Sequence, residues 1–302
     1  MAALPTTSYS LVDLDAMSSK LLKAAQKKPS LIAILTPAKT LTTRKISKAH
    51  YVLEKKKTKP RFPSEIETLS RTMRDMTRSK LGKTLKVSDK IRDLNFERFK
   101  SFETQEERPG ILYFDGAAHR GFDAWTLSEA EQISAQKRVR IISGLYGLLR
   151  PYDEMRAYRL EMGTKLNVAD TFDSLYEFWG NKIANGIADD LSVENGSSVL
   201  VNCCSKEYGK AVVKSDVLKK RGVRVVTCEF PGPSVYAKRA RGMMCRFIAT
   251  NEIEDVEHLK SFVGYETDAH YTWVEDKKKK DTLVFHRRAG APPPTKPKRA
   301  RR

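Results

Sequence analysis

The chain is 302 residues long, 40% hydrophobic and 9% aromatic, the make-up of a folded protein able to bury a large core as one large domain or two modest ones. Its 56 Lys and Arg against 37 Asp and Glu give a formal charge of +19, which points to a negatively charged partner. The lack of any run of 18 apolar residues excludes a membrane-spanning helix.

In chain order, residues 1–30 have no secretory apolar core and are expected to form a flexible extension. The first strand signal is "LIAIL", Leu31 to Leu35, followed by "TPAKT", which sets Lys39 and two threonines just past a buried strand, where α/β sheets carry ligand-binding loops. That loop lacks the glycines of a phosphate-binding loop. Residues 37–100 hold nineteen Lys and Arg against seven Asp and Glu, and residues 287–302 hold seven against none. The surplus charge is therefore concentrated in these two segments and the rest of the chain is balanced. The run Glu54-Lys55-Lys56-Lys57 reads as a solvated surface.

From Ser64 to Ser79 the apolar residues Ile66, Leu69, Met73 and Met76 form one helical stripe, with Arg71, Arg74 and Arg78 largely off it. Leu81 and Leu85 then make one apolar turn, the chain breaks at Lys86-Val87-Ser88, and Ser88 stands as the N-cap of a helix carrying Ile91 and Leu94. The second helix start offers unpaired N–H groups, with Lys83, Lys86 and Lys90 within about a turn of it, an arrangement suited to a backbone phosphate. An ordinary αα-corner with an exposed turn is the competing reading.

Further strands are expected at "GILYF" (Gly110 to Phe114), "RVRIIS" (Arg138 to Ser143), "SSVLVNCC" (Ser197 to Cys204), "GVRVVTCEF" (Gly222 to Phe230) and "DTLVFHR" (Asp281 to Arg287). Helices are expected at Ser128 to Lys137, opening with the capping box Ser128-x-x-Glu131, at Ser174 to Ala188 and at Val235 to Glu252. This alternation predicts a mixed α/β core in a single compact domain with a central mixed sheet, spanning residues 31–286. The tail "RRAGAPPPTKPKRARR" is Pro-rich and basic, expected to be disordered, and compatible with a nuclear import signal or a nucleic-acid arm.

Four cysteines, Cys203, Cys204, Cys228 and Cys245, contain no C-x-x-C pair, which argues against a zinc ribbon and for a reduced, cytoplasmic setting. The five histidines, His50, His119, His258, His270 and His286, are scattered and read as surface or singly hydrogen-bonded residues, so neither a metal nor another cofactor is expected. Tyr176, Phe178 and Trp179 read as core, whereas Tyr146, between Gly144 and Gly147, reads as exposed. Arg159, Glu161, Lys238, Arg239 and Arg241 could line an anionic-ligand pocket with Glu161 as a base. Equally, Glu161 could be the buried partner of Arg159 or Arg241.

Six motifs resemble, in the same order, those of the peroxide-stress protein YaaA family. They are "LTPAKTL" (Leu35 to Leu41), "KVSDKIRDLNFERF" (Lys86 to Phe99), "SGLYGLLRPYDEMRAYRLEMG" (Ser143 to Gly163), "LYEFWGNKI" (Leu175 to Ile183), "VNCCSKEYGKAV" (Val201 to Val212) and "VYAKRARGMMCRFI" (Val235 to Ile248). The resemblance implies a mixed α/β domain with an inserted helix-hairpin-helix over Leu81 to Phe99, a positively charged cleft, duplex DNA binding and a role in oxidative stress linked to intracellular iron. It implies no defined reaction. The family often shows "KGDVYTGL" where this chain has "FDGAAHRGF", so an Asp and a Tyr become Ala117 and His119, and Cys203-Cys204 replace residues that are usually small.

The expectation is a duplex DNA-binding protein of the peroxide response with little base specificity. Lys83, Lys86, Ser88 and Lys90 would grip phosphate, Arg71, Arg74 and Arg78 would widen the basic face, and Lys238, Arg239 and Arg241 would form a second patch. The alternatives are an enzyme acting on a nucleotide or nucleic acid through Lys39, Glu161 and the basic pocket, and a non-catalytic stress scaffold. Neither catalysis nor oligomeric state is fixed by the sequence.

Overall fold

The computed structural model describes residues 28–46, 58–192, 198–265 and 270–288. Nearly all of the expected N-terminal extension, the Lys55–Lys57 run and the basic tail from residue 289 lie outside the described residues. In chain order the strands are β1 (Leu31–Leu35), β2 (Arg108–Pro109), β3 (Val139–Ser143), β4 (Gly147–Leu149), β5 (Glu154–Met155), β6 (Lys165–Val168), β7 (Phe172–Ser174), β8 (Val199–Asn202), β9 (Arg224–Glu229), β10 (Tyr271–Val274) and β11 (Thr282–Arg287). The helices, 3₁₀ turns aside, are α1 (Pro63–Arg74), α2 (Arg78–Leu85), α3 (Asp89–Lys100), α4 (Gly110–Tyr113), α5 (Ala117–Phe122), α6 (Glu129–Arg138), α7 (Leu175–Trp179), α8 (Lys182–Asp190), α9 (Lys206–Val213), α10 (Asp216–Lys220) and α11 (Ser234–Thr250).

Seven strands form one mixed sheet in the order β10-β11-β9-β8-β1-β3-β4. The inner five run parallel, and an antiparallel strand closes each edge, β10 on β11 and β4 on β3. All five residues of β1 are buried, as in a strand covered on both faces, which is why its run is apolar throughout rather than alternating. The register pairs Leu31 with Val199 and Ala33 with both Val201 and Val139. From β1 the chain moves to β3 on one side, and from β8 to β9 on the other. The order thus reverses between β1 and β8, so their carboxyl ends flank a crevice.

Two helices meet over this crevice at backbone distance. A Cβ at Gly242 of α11 would stand 1.7 Å from the Ala118 carbonyl oxygen, and one at Gly121 of α5 would stand 2.1 Å from the Arg239 carbonyl oxygen. Only a residue without a side chain fits at either point. Helix α11 also packs on β1 and α6.

The mixed α/β domain agrees with the expectation, and so does the apolar stripe, where Leu69 and Met73 of α1 and Met76 just past its end are buried. Three local readings are corrected. Gly110–Tyr113 is a helical turn rather than a strand; its first amides donate to Asp153 O and Pro151 O, and a short buried apolar run has the same composition in either state. The helix expected over Ser64 to Ser79 ends at Arg74, and Thr77 caps a new one through Lys80 N. The helix over Ser174 to Ala188 is broken at Gly180, whose φ of 44° leaves the helical region. Among the described residues no helix is long and apolar enough to cross a membrane.

Gly242→Ala is expected to cost at least about 3 kcal/mol, the upper range for overpacking, because the new methyl meets backbone that cannot rotate away. Gly222→Ala is the comparison. That glycine has a φ of +69° but nothing within 4 Å, so only backbone strain of about 1–2 kcal/mol is expected. Urea midpoints of the two variants against the parent protein check the contrast.

Candidate functional site

A cleft of about 710 Å³ opens at the crevice between β1 and β8. Its floor comes from the loops after the two strands, Thr36–Thr40 and Cys203–Ser205; Ser205 N–H donates to Thr36 Oγ1 at 2.8 Å and ties one loop to the other. One wall is the start of α5 with Ala117 and His119, and the opposite wall is the segment Tyr158–Glu161. Helix α11 brings Ser234, Lys238 and Arg241, and α9 brings Glu207 and Tyr208.

Glu161 is the organising carboxylate. Its Oε1 accepts from Arg159 Nε at 3.1 Å and lies 3.0 Å from Arg159 Nη2 and 3.1 Å from Lys39 Nζ. Its Oε2 is buried with no hydrogen-bond partner. Arg241 Nε and both ring nitrogens of His119 are likewise buried and unpartnered. Buried polar atoms are ordinarily satisfied, so this group on one cleft is the arrangement a polar ligand or water would complete.

Burial sets the protonation of several groups. It pushes His119 from 6.5 down to about 3, so the imidazole is neutral, its ring 5.0 Å from that of Phe114. The phenol of Tyr158, 2.6 Å from Ser143 Oγ, is held protonated by burial, as is that of Tyr208. Four cations (Lys39, Arg159, Lys238, Arg241) face two carboxylates (Glu161, Glu207), leaving the cleft positive. Helices α9 and α11 both begin at its edge with no side-chain cap on their first amides, adding positive potential.

The sequence-predicted residues fall into two places. Lys39, Glu161, Lys238 and Arg241 meet in the cleft, and Glu161 pairs with Arg159 and Lys39 rather than with Arg241. Arg239 is not in the cleft lining; its backbone packs on Gly121. Lys83, Lys86, Ser88 and Lys90 lie exposed at the junction of α2 and α3. Lys86 there adopts a left-handed C-cap, and the Ser88 hydroxyl, although at the N-cap position, makes no cap bond. The arginines beside them are paired: Arg71 with Glu67, Arg74 with Glu103, and Arg78 with Glu97 and Asp93. Arg98, on the last turn of α3, is half-buried and feels the Arg159 charge, so the hairpin ends beside the cationic rim of the cleft.

Two residues expected at the surface are not there. His119 is buried in the cleft wall, and Tyr146 is buried with its hydroxyl accepting from Arg156 N at 2.8 Å. Sequence reasoning also passed over Ser205, Glu207 and Tyr208, although "NCCSKEYG" directly follows a strand, which is itself a signal for a site. Among the described residues no group of three or more His, Cys, Asp or Glu side chains is placed to hold a metal ion.

The family model described as peroxide stress protein YaaA matches residues 31–276. The chain belongs to the peroxide stress protein YaaA family. It is 42% identical over 238 residues to a UPF0246 protein of Aliivibrio fischeri strain MJ11, covering 76% of this chain and 90% of that one. It is 38% identical over 272 residues to one of Burkholderia lata and 36% identical over 268 residues to one of Clostridium perfringens strain SM101, covering 86% and 85% of this chain and 100% of each relative. Within this YaaA-family chain, the two positions that depart from the motif "KGDVYTGL", Ala117 and His119, both face the cleft.

Since His119 is held neutral in the fold but takes a proton near its ordinary pKa once unfolded, the unfolded state binds the extra proton between pH 6.5 and about 3. Stability should therefore fall as pH drops through that window, by up to about 1.4 kcal/mol per pH unit from this group. His119→Leu should flatten that part of the stability profile, measured by denaturant unfolding at a series of pH values.

Proposed function

We propose that this YaaA-family protein binds duplex DNA through its phosphate backbone, with little base preference, as part of the peroxide response. The supporting observation is the division of charge on the two-helix hairpin. Lys80, Lys83, Lys86 and Lys90 are exposed with no carboxylate partner among the described residues, whereas Arg71, Arg74, Arg78 and Arg92 are each neutralised by a neighbour. Free ammonium groups around a three-residue connection can release counterions from DNA. Guanidinium groups already paired contribute less. On this reading the hairpin of α2 and α3 is a helix-hairpin-helix, and the gripping set is Lys83, Lys86 and Lys90 with Ser88 rather than the arginine face.

The test is duplex binding by the full chain across a salt series, compared with Lys83/Lys86/Lys90→Ala. The basic tail is common to both proteins, so the difference isolates the hairpin. The variant should bind more weakly to every sequence, and its log–log salt slope should drop by about two to three units. An unchanged slope would leave the hairpin as an ordinary corner.

A second reading is favoured by the unpartnered atoms of the cleft. Glu161 Oε2, Arg241 Nε and the His119 nitrogens fit a phosphate-bearing small molecule, such as a nucleotide, with Glu161 accepting a proton or hydrogen bond from it. Glu161→Gln keeps the shape, removes the charge, and should abolish retention or turnover of such a ligand while leaving duplex affinity within about twofold, since a single distant charge adds little at ordinary salt. Calorimetric titration of nucleotides into both proteins checks it.

A further inference from the structure

The carboxyl end of β8 holds a group that neither reading uses. Cys203, Cys228 and Cys245 are free thiols with 0%, 2% and 0% exposure, and the Cys203 sulfur is in hydrogen-bond contact with the other two. They come from three elements: the end of β8, β9, and α11 where it covers the sheet. Of the three, Cys203 is the one that borders the cleft. Arg241, whose Nε has no partner, places its charge beside it.

We propose that Cys203 is a peroxide-reactive thiol that is oxidised through the cleft and then bridged to Cys228. The register makes Cys228 the partner. Asn202 lies opposite Thr227 at the last pair of the β8–β9 ladder, and Cys203 and Cys228 are the next residues of the two chains in the same parallel direction. Neighbouring strands lie about 4.8 Å apart. That spacing falls in the Cα range of about 4.4–6.8 Å that a disulfide spans without backbone movement.

The chemistry balances without another co-reactant. The Cys203 sulfur attacks one oxygen of hydrogen peroxide or a small hydroperoxide; an S–O bond forms, the O–O bond breaks, and the leaving oxygen takes the thiol proton as water or alcohol. Sulfur loses two electrons and the peroxide gains them. The Cys228 sulfur then attacks Cys203; the S–S bond forms, the S–OH bond breaks, and hydroxide leaves with the Cys228 proton as water. One equivalent of peroxide is consumed per chain.

The surroundings favour Cys203 as the attacking sulfur. Two S–H groups donate to it and the Arg241 charge acts on it, which holds its thiol low, whereas Cys228 and Cys245 are held high by that same contact and by burial. Cys204, on the other side of the chain, is held high by burial and sits against Thr36. It is an internal control, a buried thiol from the next residue along that does not line the cleft. The inference goes beyond family membership, which by itself assigns no role to these thiols.

The experiment treats the full-length native protein with one equivalent of hydrogen peroxide, quenches it, unfolds it in an alkylating agent, and maps the peptides. The expected product is a Cys203–Cys228 disulfide, with Cys204 still alkylated. Cys203→Ser should slow peroxide-dependent thiol loss at least tenfold, and Cys228→Ser should leave a Cys203 sulfenic acid that dimedone traps. Should either variant fail to fold, the map of the parent protein decides. Cys203 still fully alkylated after the equivalent is consumed, or Cys204 oxidised as fast as Cys203, overturns the proposal, and a Cys203–Cys245 bridge overturns the choice of partner.

Discussion

The close crossing of α5 and α11 is the constraint on which the rest of the site depends. Gly121 and Gly242 let the two backbones approach until a single Cβ at either position would overlap a carbonyl oxygen. Helix α11 carries Ser234, Lys238 and Arg241 to the cleft and Cys245 to the sheet, while α5 carries Ala117 and His119. Moving the helices apart by the width of a methyl group would displace the cationic wall, the imidazole and one of the three thiols together. Interiors as dense as crystals transmit such a shift rather than absorb it.

Charge on this chain follows two different rules. On the hairpin it lies in solvent, where long side chains pair with carboxylates at little net gain, and only the lysines left over retain a field to offer a partner. In the cleft the carboxylate of Glu161 is largely shielded. There Glu161 is fixed by Arg159 and Lys39 on one oxygen and left open on the other, an asymmetry that a purely structural ion pair does not require. A carboxylate held only to stabilise the fold would be expected to use both oxygens, because burying an unsatisfied one carries a penalty of about 1–3 kcal/mol.

Much of the fold could be read directly. The strands at Leu31, Val139, Val199, Arg224 and Thr282 announce themselves as apolar, β-branched runs between turn residues, and the first three are buried along their whole length, as strands covered on both faces must be. Gly110–Tyr113 has the same composition and is helical, since tertiary hydrogen bonds to Pro151 O and Asp153 O decide its state. The meeting of Lys39 with Glu161 was half legible: charge near a strand end suggested a site, but which cation would pair with the carboxylate depended on where the Tyr158–Glu161 segment crosses. His119 was not legible at all. Its burial is imposed by the cleft wall in which it sits, and nothing in "AAHRG" marks it as different from a surface histidine.

The thiols show why a constellation can be invisible in sequence yet definite in space. Cys203 and Cys204 are adjacent just past the end of β8, but Cys204 sits against Thr36 while Cys203 meets Cys228 and Cys245, so the pair that catches the eye is not the cluster that forms. The partners that do meet Cys203 arrive through strand register and helix packing from distant parts of the chain. The charge beside that sulfur belongs to Arg241, the same guanidinium whose unpartnered Nε faces the anion-binding reading of the cleft. Electrostatic coupling is mutual: an anion docked on Arg241 would offset part of the positive potential that favours a thiolate at Cys203. The two proposed chemistries of the cleft therefore draw on one charge, and on these readings occupancy of the site would oppose reactivity of its thiol.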